Sequence, residues 1–291
     1  MADPGAEPWR WPEERWRSAV GRGRAGRSLR PKRWKGGARA ALIVSFDCGF
    51  ETTAITADGG SITGVARGHY GARAGIARIL RILAQNRVQA TFFLPAVAAL
   101  LHPQEAKAIV AAGHEIGFAG WMNEARASLE PEAERELLAG ALKSLGEASG
   151  TTPAGFRAGP GGLSDATLGI LRSLGLTYDS SLAADDDPYE IAAADETPGL
   201  VELPLGPTDA LLEDMLPGGG ATTPEAVFDI FRREIEVAYQ EGGLVHLALN
   251  PAVSGRRANA WVLEEILKVA RALPGMWITT CADVAQYVRS R

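Results

Sequence analysis

Two apolar runs end on polar residues that could do chemistry. The run from Ala41 ends on Asp47, and the run from Leu244 ends on Asn250. Read as strands, both alternate their faces. Leu42, Val44 and Phe46 share one side of the first, and Ala41, Ile43, Ser45 and Asp47 share the other. In the second, Val245, Leu247 and Leu249 lie opposite His246, Ala248 and Asn250. A carboxylate, an imidazole and an amide are thereby predicted on inward faces near the C-terminal ends of strands, where barrel enzymes keep their reacting groups. Aspartate can take a proton and histidine can give one, so the pair suits general acid–base chemistry. Each also has a plainer role. A strand-end aspartate often caps a helix or faces a loop, and a lone histidine on an apolar strand is often a hydrogen-bonded core residue.

The elements that must position these residues follow from the apolar pattern. Strands are predicted over Ala41–Asp47, Ala90–Pro95, Glu115–Ala119, Ala154–Arg157, Thr177–Asp179, Leu200–Leu203, Leu244–Asn250 and Met276–Thr279. Helical spacing recurs between them, at Ile76, Ile79, Leu80 and Leu83, at Leu138, Ala141, Leu142 and Leu145, and at Val262, Ile266, Val269 and Leu273. Thr223 and Pro224 form a cap and first-turn pair for a helix through Tyr239. Strands alternating with helices predict an α/β fold with a mainly parallel sheet. Residues 1–38 read as an arm with a basic stretch from Arg22 to Lys35, and 39–291 as one domain. Gly206–Thr223 reads as a long loop rich in Gly and Pro, and Asp185-Asp186-Asp187-Pro188-Tyr189 as a solvated one.

Composition removes several classes. A formal net charge of −5 gives no general affinity for nucleic acid or anionic lipid. No apolar run is long enough for a membrane span. Trp9, Trp11 and Trp16 stand among Arg and Glu where a secretory signal would need an apolar run. Two cysteines, Cys48 and Cys281, are too few for a disulfide scaffold and fit a reducing cytoplasm. There is no glycine motif for a nucleotide, flavin or nicotinamide, and no cofactor is expected.

Five collinear motifs carry a resemblance. Ser45-Phe46-Asp47-Cys48-Gly49-Phe50-Glu51-Thr52 resembles the first motif of the polysaccharide deacetylases. Gly113-His114-Glu115-Ile116-Gly117, with Gly120-Trp121 and Glu124, is similar to the second. Gly155-Phe156-Arg157-Ala158 resembles the third, and Tyr178-Asp179-Ser180-Ser181-Leu182 the segment after it. Asn250-Pro251 with Ser254-Gly255-Arg256 matches the last, so the likeness runs from about Arg39 to Val288. The Trp-Pro-Glu-Glu-Arg-Trp arm is similar to a subgroup that resembles peptidoglycan deacetylases and metal-free allantoinases.

The resemblance implies a distorted (β/α) barrel of seven to eight mainly parallel strands. It also implies a divalent metal on one Asp and two His, an Asp base, an Arg that orients it and a late His acid. Carried over by position, Asp47 takes the place of the base and Arg157 that of its arginine. The metal aspartate falls on Gly49 or Cys48, the metal histidines on Ala119 and Asn123, and the late histidine on Asn250. No metal is therefore expected at the family site. Ala158-Gly159-Pro160-Gly161-Gly162 replaces a bulkier rim.

Three readings stay open at this point. The first is a metal-independent enzyme in which Asp47, Arg157 and His246 act on a small molecule by proton transfer, isomerisation, cyclisation, dehydration or amide hydrolysis. Cys48, Glu51, Trp121, Asn123, Asn250 and Gly159 would then contact the substrate. The second is a non-catalytic binding protein in which Asp47 and Arg157 are a structural ion pair. The third is a conventional deacetylase with relocated ligands drawn from Glu51, Cys48, Glu124, Asp185, Asp186, His69 and His246. His114 reads as structural, His69 and His102 as loop residues, and Cys281 as an apolar filler. Relatives of the subgroup imply a homodimer or homotetramer.

Overall fold

The computed structural model describes residues 7–21, 24–124, 129–159, 162–191, 199–209 and 222–291. Its strands are β1 (Ala25–Ser28), β2 (Ala40–Asp47), β3 (Thr91–Leu94), β4 (Glu115–Phe118), β5 (Gly155–Phe156), β6 (Tyr178–Asp179), β7 (Tyr189–Ile191), β8 (Val201–Glu202), β9 (Leu244–Leu249) and β10 (Met276–Thr279). The helices on the first half of the chain are α1 (Glu13–Gly21), α2 (Glu51–Asp58), α3 (Ile62–Tyr70), α4 (Ala77–Asn86), α5 (Ala96–Leu101) and α6 (Pro103–Ala111). The second half adds α7 (Pro131–Ser149), α8 (Thr167–Ser173), α9 (Pro224–Glu241), α10 (Pro251–Ser254), α11 (Ala260–Ala272) and α12 (Cys281–Arg289).

The sheet is a distorted barrel. Parallel pairing runs β9-β2-β3-β4-β5-β6-β8, and β10 shares an edge of β2 with β3. The segment after β8 closes the circuit, with Gly206 N donating to His246 O at 3.0 Å and Ala248 N to Pro207 O at 3.3 Å. Only glycine fits at 206, because a Cβ there would lie 2.7 Å from the His246 carbonyl oxygen. Eight strands fall where the apolar runs predict them.

The two faces of the central strands separate two cores, as the alternation predicts. Leu42, Val44, Phe46, Val245, Leu247 and Leu249 pack outward against the helices. Ala41, Ile43, Phe93, Tyr178 and Leu203 fill the barrel with α12 and Trp34. Helix boundaries follow local chemistry. Thr223 caps α9 by accepting from Ala226 N at 3.3 Å, and Gly242 ends it at φ 76°.

Two expectations need adjusting. Part of the arm belongs to the barrel body, because β1 pairs antiparallel with β7 and Trp34 is buried, donating its indole N–H to Gly242 O. Asp187 is not a solvated loop residue. It accepts from Leu244 N at 2.8 Å and pairs with Arg30 at 3.0 Å, tying this edge to β9. In the Gly206–Thr223 loop, residues 210–221 lie outside the described residues. Among those described, no helix is long and apolar enough to cross a membrane.

Candidate functional site

The C-terminal ends of β2, β3, β5 and β9 deliver Asp47, Phe93, Arg157 and Asn250 to one cavity of about 320 Å³. Arg157 organises its floor. The side chain is buried, and each of its five N–H donors has an acceptor. Nε donates to Ser180 O at 3.1 Å, and Nη1 to Ser45 Oγ at 2.8 Å and Asp47 Oδ1 at 2.9 Å. Nη2 donates to Ser180 Oγ and to His246 Nε2, both at 2.9 Å. The guanidinium also stacks 4.0 Å above the Phe93 ring. Fully held in this way, the cation cannot turn toward a ligand. Asp47 is different, because its side chain is 49% exposed and opens into the cavity.

The wall opposite is made by Asn123. It adopts φ 67°, a left-handed conformation that Asn tolerates. Its amide lies between two glycines that leave room for it. A Cβ at Gly49 would come within 2.7 Å of Asn123 Nδ2, and one at Gly159 within 2.9 Å of Oδ1. Asn250 caps α10 by accepting from Ala252 N at 2.8 Å, while its own N–H donates to Asp209 Oδ2 at 2.9 Å. Thr53, Pro95, Ala119 and Ala158 complete the lining with Cys48. The Cys48 thiol is buried and turned toward Phe46 O at 3.7 Å. Burial, and then the Asp47 charge, push its pKa up, so it stays a thiol.

Of the residues predicted to do chemistry or touch substrate, Asp47, Arg157, Cys48, Asn123, Asn250 and Gly159 line the cavity. His246, Glu51 and Trp121 do not. His246 lies beneath Arg157, buried, with Nε2 also 2.9 Å from Ser45 Oγ. Burial, and then the neighbouring guanidinium, hold its pKa well below the usual range. The ring is neutral, with Nε2 the acceptor for Arg157. The sequence places His246 on the right face but cannot give its depth. Trp121 packs on the outer core, its backbone N–H donating to Glu124 at 3.2 Å. Glu51 turns away from the cavity to His69 and His102.

Sequence reasoning missed Phe93 and Asp209. Phe93 sits beside Asp47 in register and shares its inward face, a signal that was available. Asp209 lies in the loop after β8, where no pattern marks it. Below Arg157 is a buried acid pair, Asp179 and Glu202, both with pKa raised chiefly by burial. Asp179 orients Ser181, which in turn accepts from Ala158 N at 2.8 Å and fixes the rim.

The family model for polysaccharide deacetylases matches residues 50–178. A crystal structure from Mycobacterium smegmatis, assigned to the polysaccharide deacetylases, is 30% identical with a TM-score of 0.83, covering 91% of this chain and 95% of that one. This chain belongs to the polysaccharide deacetylase family. The structure of Puue allantoinase shares the fold, at 24% identity and a TM-score of 0.78 over 91% of this chain and 94% of that one. The peptidoglycan deacetylase of Helicobacter pylori is 29% identical over 132 residues, 45% of each chain. The chain spans less than half the length of the curated relatives it matches.

At the positions that the resemblance assigns to the metal ligands, the residues present do not fit a metal. Gly49 and Ala119 have no donor atom. A Cβ at 49 would lie 2.2 Å from Thr53 Oγ1 and 2.7 Å from Asn123 Nδ2, so an aspartate there would require both side chains to shift. Cys48 is a buried thiol facing away, and Asn123 is held between glycines. The cavity lining offers one carboxylate, that of Asp47, and no imidazole among the described residues.

Proposed function

We propose that this deacetylase-family chain is a hydrolase that works without a metal in its cavity, with Asp47 as general base on a small amide. The observation that carries the reading is the asymmetry of the Asp47–Arg157 pair. One carboxylate oxygen is fixed by a buried, saturated guanidinium, and the rest of the group faces the cavity at 49% exposure. An ion pair kept only for stability has no need of that opening.

In the reaction we infer, Asp47 takes a proton from water as the water oxygen bonds to the amide carbon. The protonated Asp47 then returns that proton to the nitrogen as the C–N bond breaks, giving an acid and an amine. Asn250 is placed to support the carbonyl oxygen, since its Oδ1 is spent on capping α10 and its NH₂ remains to donate. Arg157 and, behind it, His246 and Ser45 are positioning residues. A cavity of about 320 Å³ matches a single small molecule at the low end of the usual range. Both cysteines are free and buried, which is consistent with a reducing compartment.

A second reading, binding without turnover, is favoured by one feature. Asp47 is the only proton carrier in the lining that is open to the cavity among the described residues. Small N-acyl and cyclic amides, assayed for both binding and hydrolysis, separate the two. Hydrolysis abolished by Asp47→Asn supports the enzyme, and saturable binding with no turnover supports the binding protein.

A further inference from the structure

Glu51, His69 and His102 come from three segments and meet at one point outside the cavity. Glu51 lies in the first turn of α2, His69 in the last turn of α3, and His102 at the break between α5 and α6. Glu51 Oε1 is 3.1 Å from His69 Nδ1, and Oε2 is 2.8 Å from His102 Nε2. One such atom from each residue can be chosen so that all three lie within 4.8 Å of one another. Glu51 and His102 are nearly buried, while His69 is 53% exposed.

The fold brings these residues together deliberately close. A Cβ at Gly68 would lie 2.4 Å from the Phe50 carbonyl carbon and 2.5 Å from Glu51 N. Glycine there lets α3 lie against the start of α2, and the next residue is His69. Phe50 turns the chain from β2 into α2 at φ 48° and ψ −129°, a conformation disfavoured for a bulky residue. Its ring meets His102 edge-on at 5.4 Å. His102 Nδ1 faces Glu105, 3.9 Å away.

We propose that Glu51, His69 and His102 form a binding site for a zinc-like divalent ion, separate from the catalytic cavity. Two imidazole nitrogens and a carboxylate oxygen are a donor set that suits zinc, and three protein ligands leave a fourth position for water. In a tetrahedral zinc site the donor atoms stand about 3.3 Å apart. Each histidine nitrogen is already close to that distance from one of the two Glu51 oxygens, and one donor from each residue lies within 4.8 Å of the others, so side-chain movement is needed to close the site. Glu105, 3.9 Å from His102 Nδ1, would have to move closer to accept the Nδ1 proton and leave Nε2 for the ion. The exposed edge of His69 is the way in. A bound ion would pin α2, α3 and the α5–α6 junction around the Phe50 corner.

The test uses the full chain, stripped of metal and titrated with cobalt(II), then zinc. The expected result is one cobalt per chain with the strong visible absorption of a four-coordinate nitrogen–oxygen site, displaced by zinc, and a zinc-dependent rise in melting temperature. His69→Ala sits at a half-exposed position and should fold, with cobalt affinity reduced at least about tenfold. His102→Ala should lose the signal, and Asp47→Asn should keep it. No stoichiometric cobalt in the parent chain, or an unaltered signal in both histidine variants, overturns the site. Loss of the signal in Asp47→Asn alone would put the ion in the cavity, which overturns both this site and the metal-free hydrolase. An ion confined to the three residues leaves the hydrolase reading untouched.

Discussion

Replacing Asp47 by Asn leaves an oxygen for the Arg157 Nη1 donor but removes the proton acceptor. The variant should therefore lose less than about 3 kcal/mol in urea unfolding. Its turnover of an amide substrate should fall by about 10²-fold or more. Arg157→Met is the opposite case. It strands Ser180 O and His246 Nε2 in a buried site, and stability should fall by about 3–5 kcal/mol in the same measurement. A loss near zero would mean that the five-bond network around Arg157 is dispensable. Asp47 was legible in the sequence because strand alternation ends on it at a predictable edge. Arg157 was legible only through its motif. His246 and Glu51 do not line the cavity, because alternation and spacing fix a face at most, and neither reports depth nor what a side chain finds when it arrives.

Close approaches between elements set the geometry around the site. Gly68→Ala puts a methyl group into the Phe50–Glu51 backbone, which cannot give way as a flexible side chain would. A loss of about 1–3 kcal/mol is expected in thermal or urea unfolding, and a neutral result would show that α3 can withdraw freely. The eight barrel strands were legible because buried parallel strands read as short apolar runs. The edge pair was not. β1 is Ala-Gly-Arg-Ser, with no β-branched or aromatic residue, and its strand conformation comes from pairing with β7. The six-residue π-helical turn at Gly71–Ile76, packed by Gly71 and Gly75 against α10, has no sequence signature that periodicity could detect.

For the molecule as a whole, Trp34 links the N-terminal segment to the barrel interior, where it is 1% exposed. Trp34→Ala should cost about 3–5 kcal/mol, read as a lower urea midpoint. Burial also makes stability depend on pH. His114, whose Nδ1 accepts from Ala90 N, has its pKa lowered to about 4 by burial. The unfolded chain protonates this histidine near the ordinary value of about 6.5. Between those values the unfolded state binds the extra proton, so the contribution is full above about pH 6.5 and is lost as pH falls toward about 4. Measured against His114→Asn, which keeps an acceptor for Ala90, the parent chain should lose relative stability across that window and run parallel below it. A constant difference would place the ring in a wetter setting. The proposed chemistry has the cavity act through Asp47 without a metal. The most direct test is hydrolysis of a panel of small amides by the chelator-treated chain, run beside Asp47→Asn. Turnover that survives chelation and disappears in the variant is the predicted result. Turnover that needs added metal, or that persists without the Asp47 carboxylate, would contradict it.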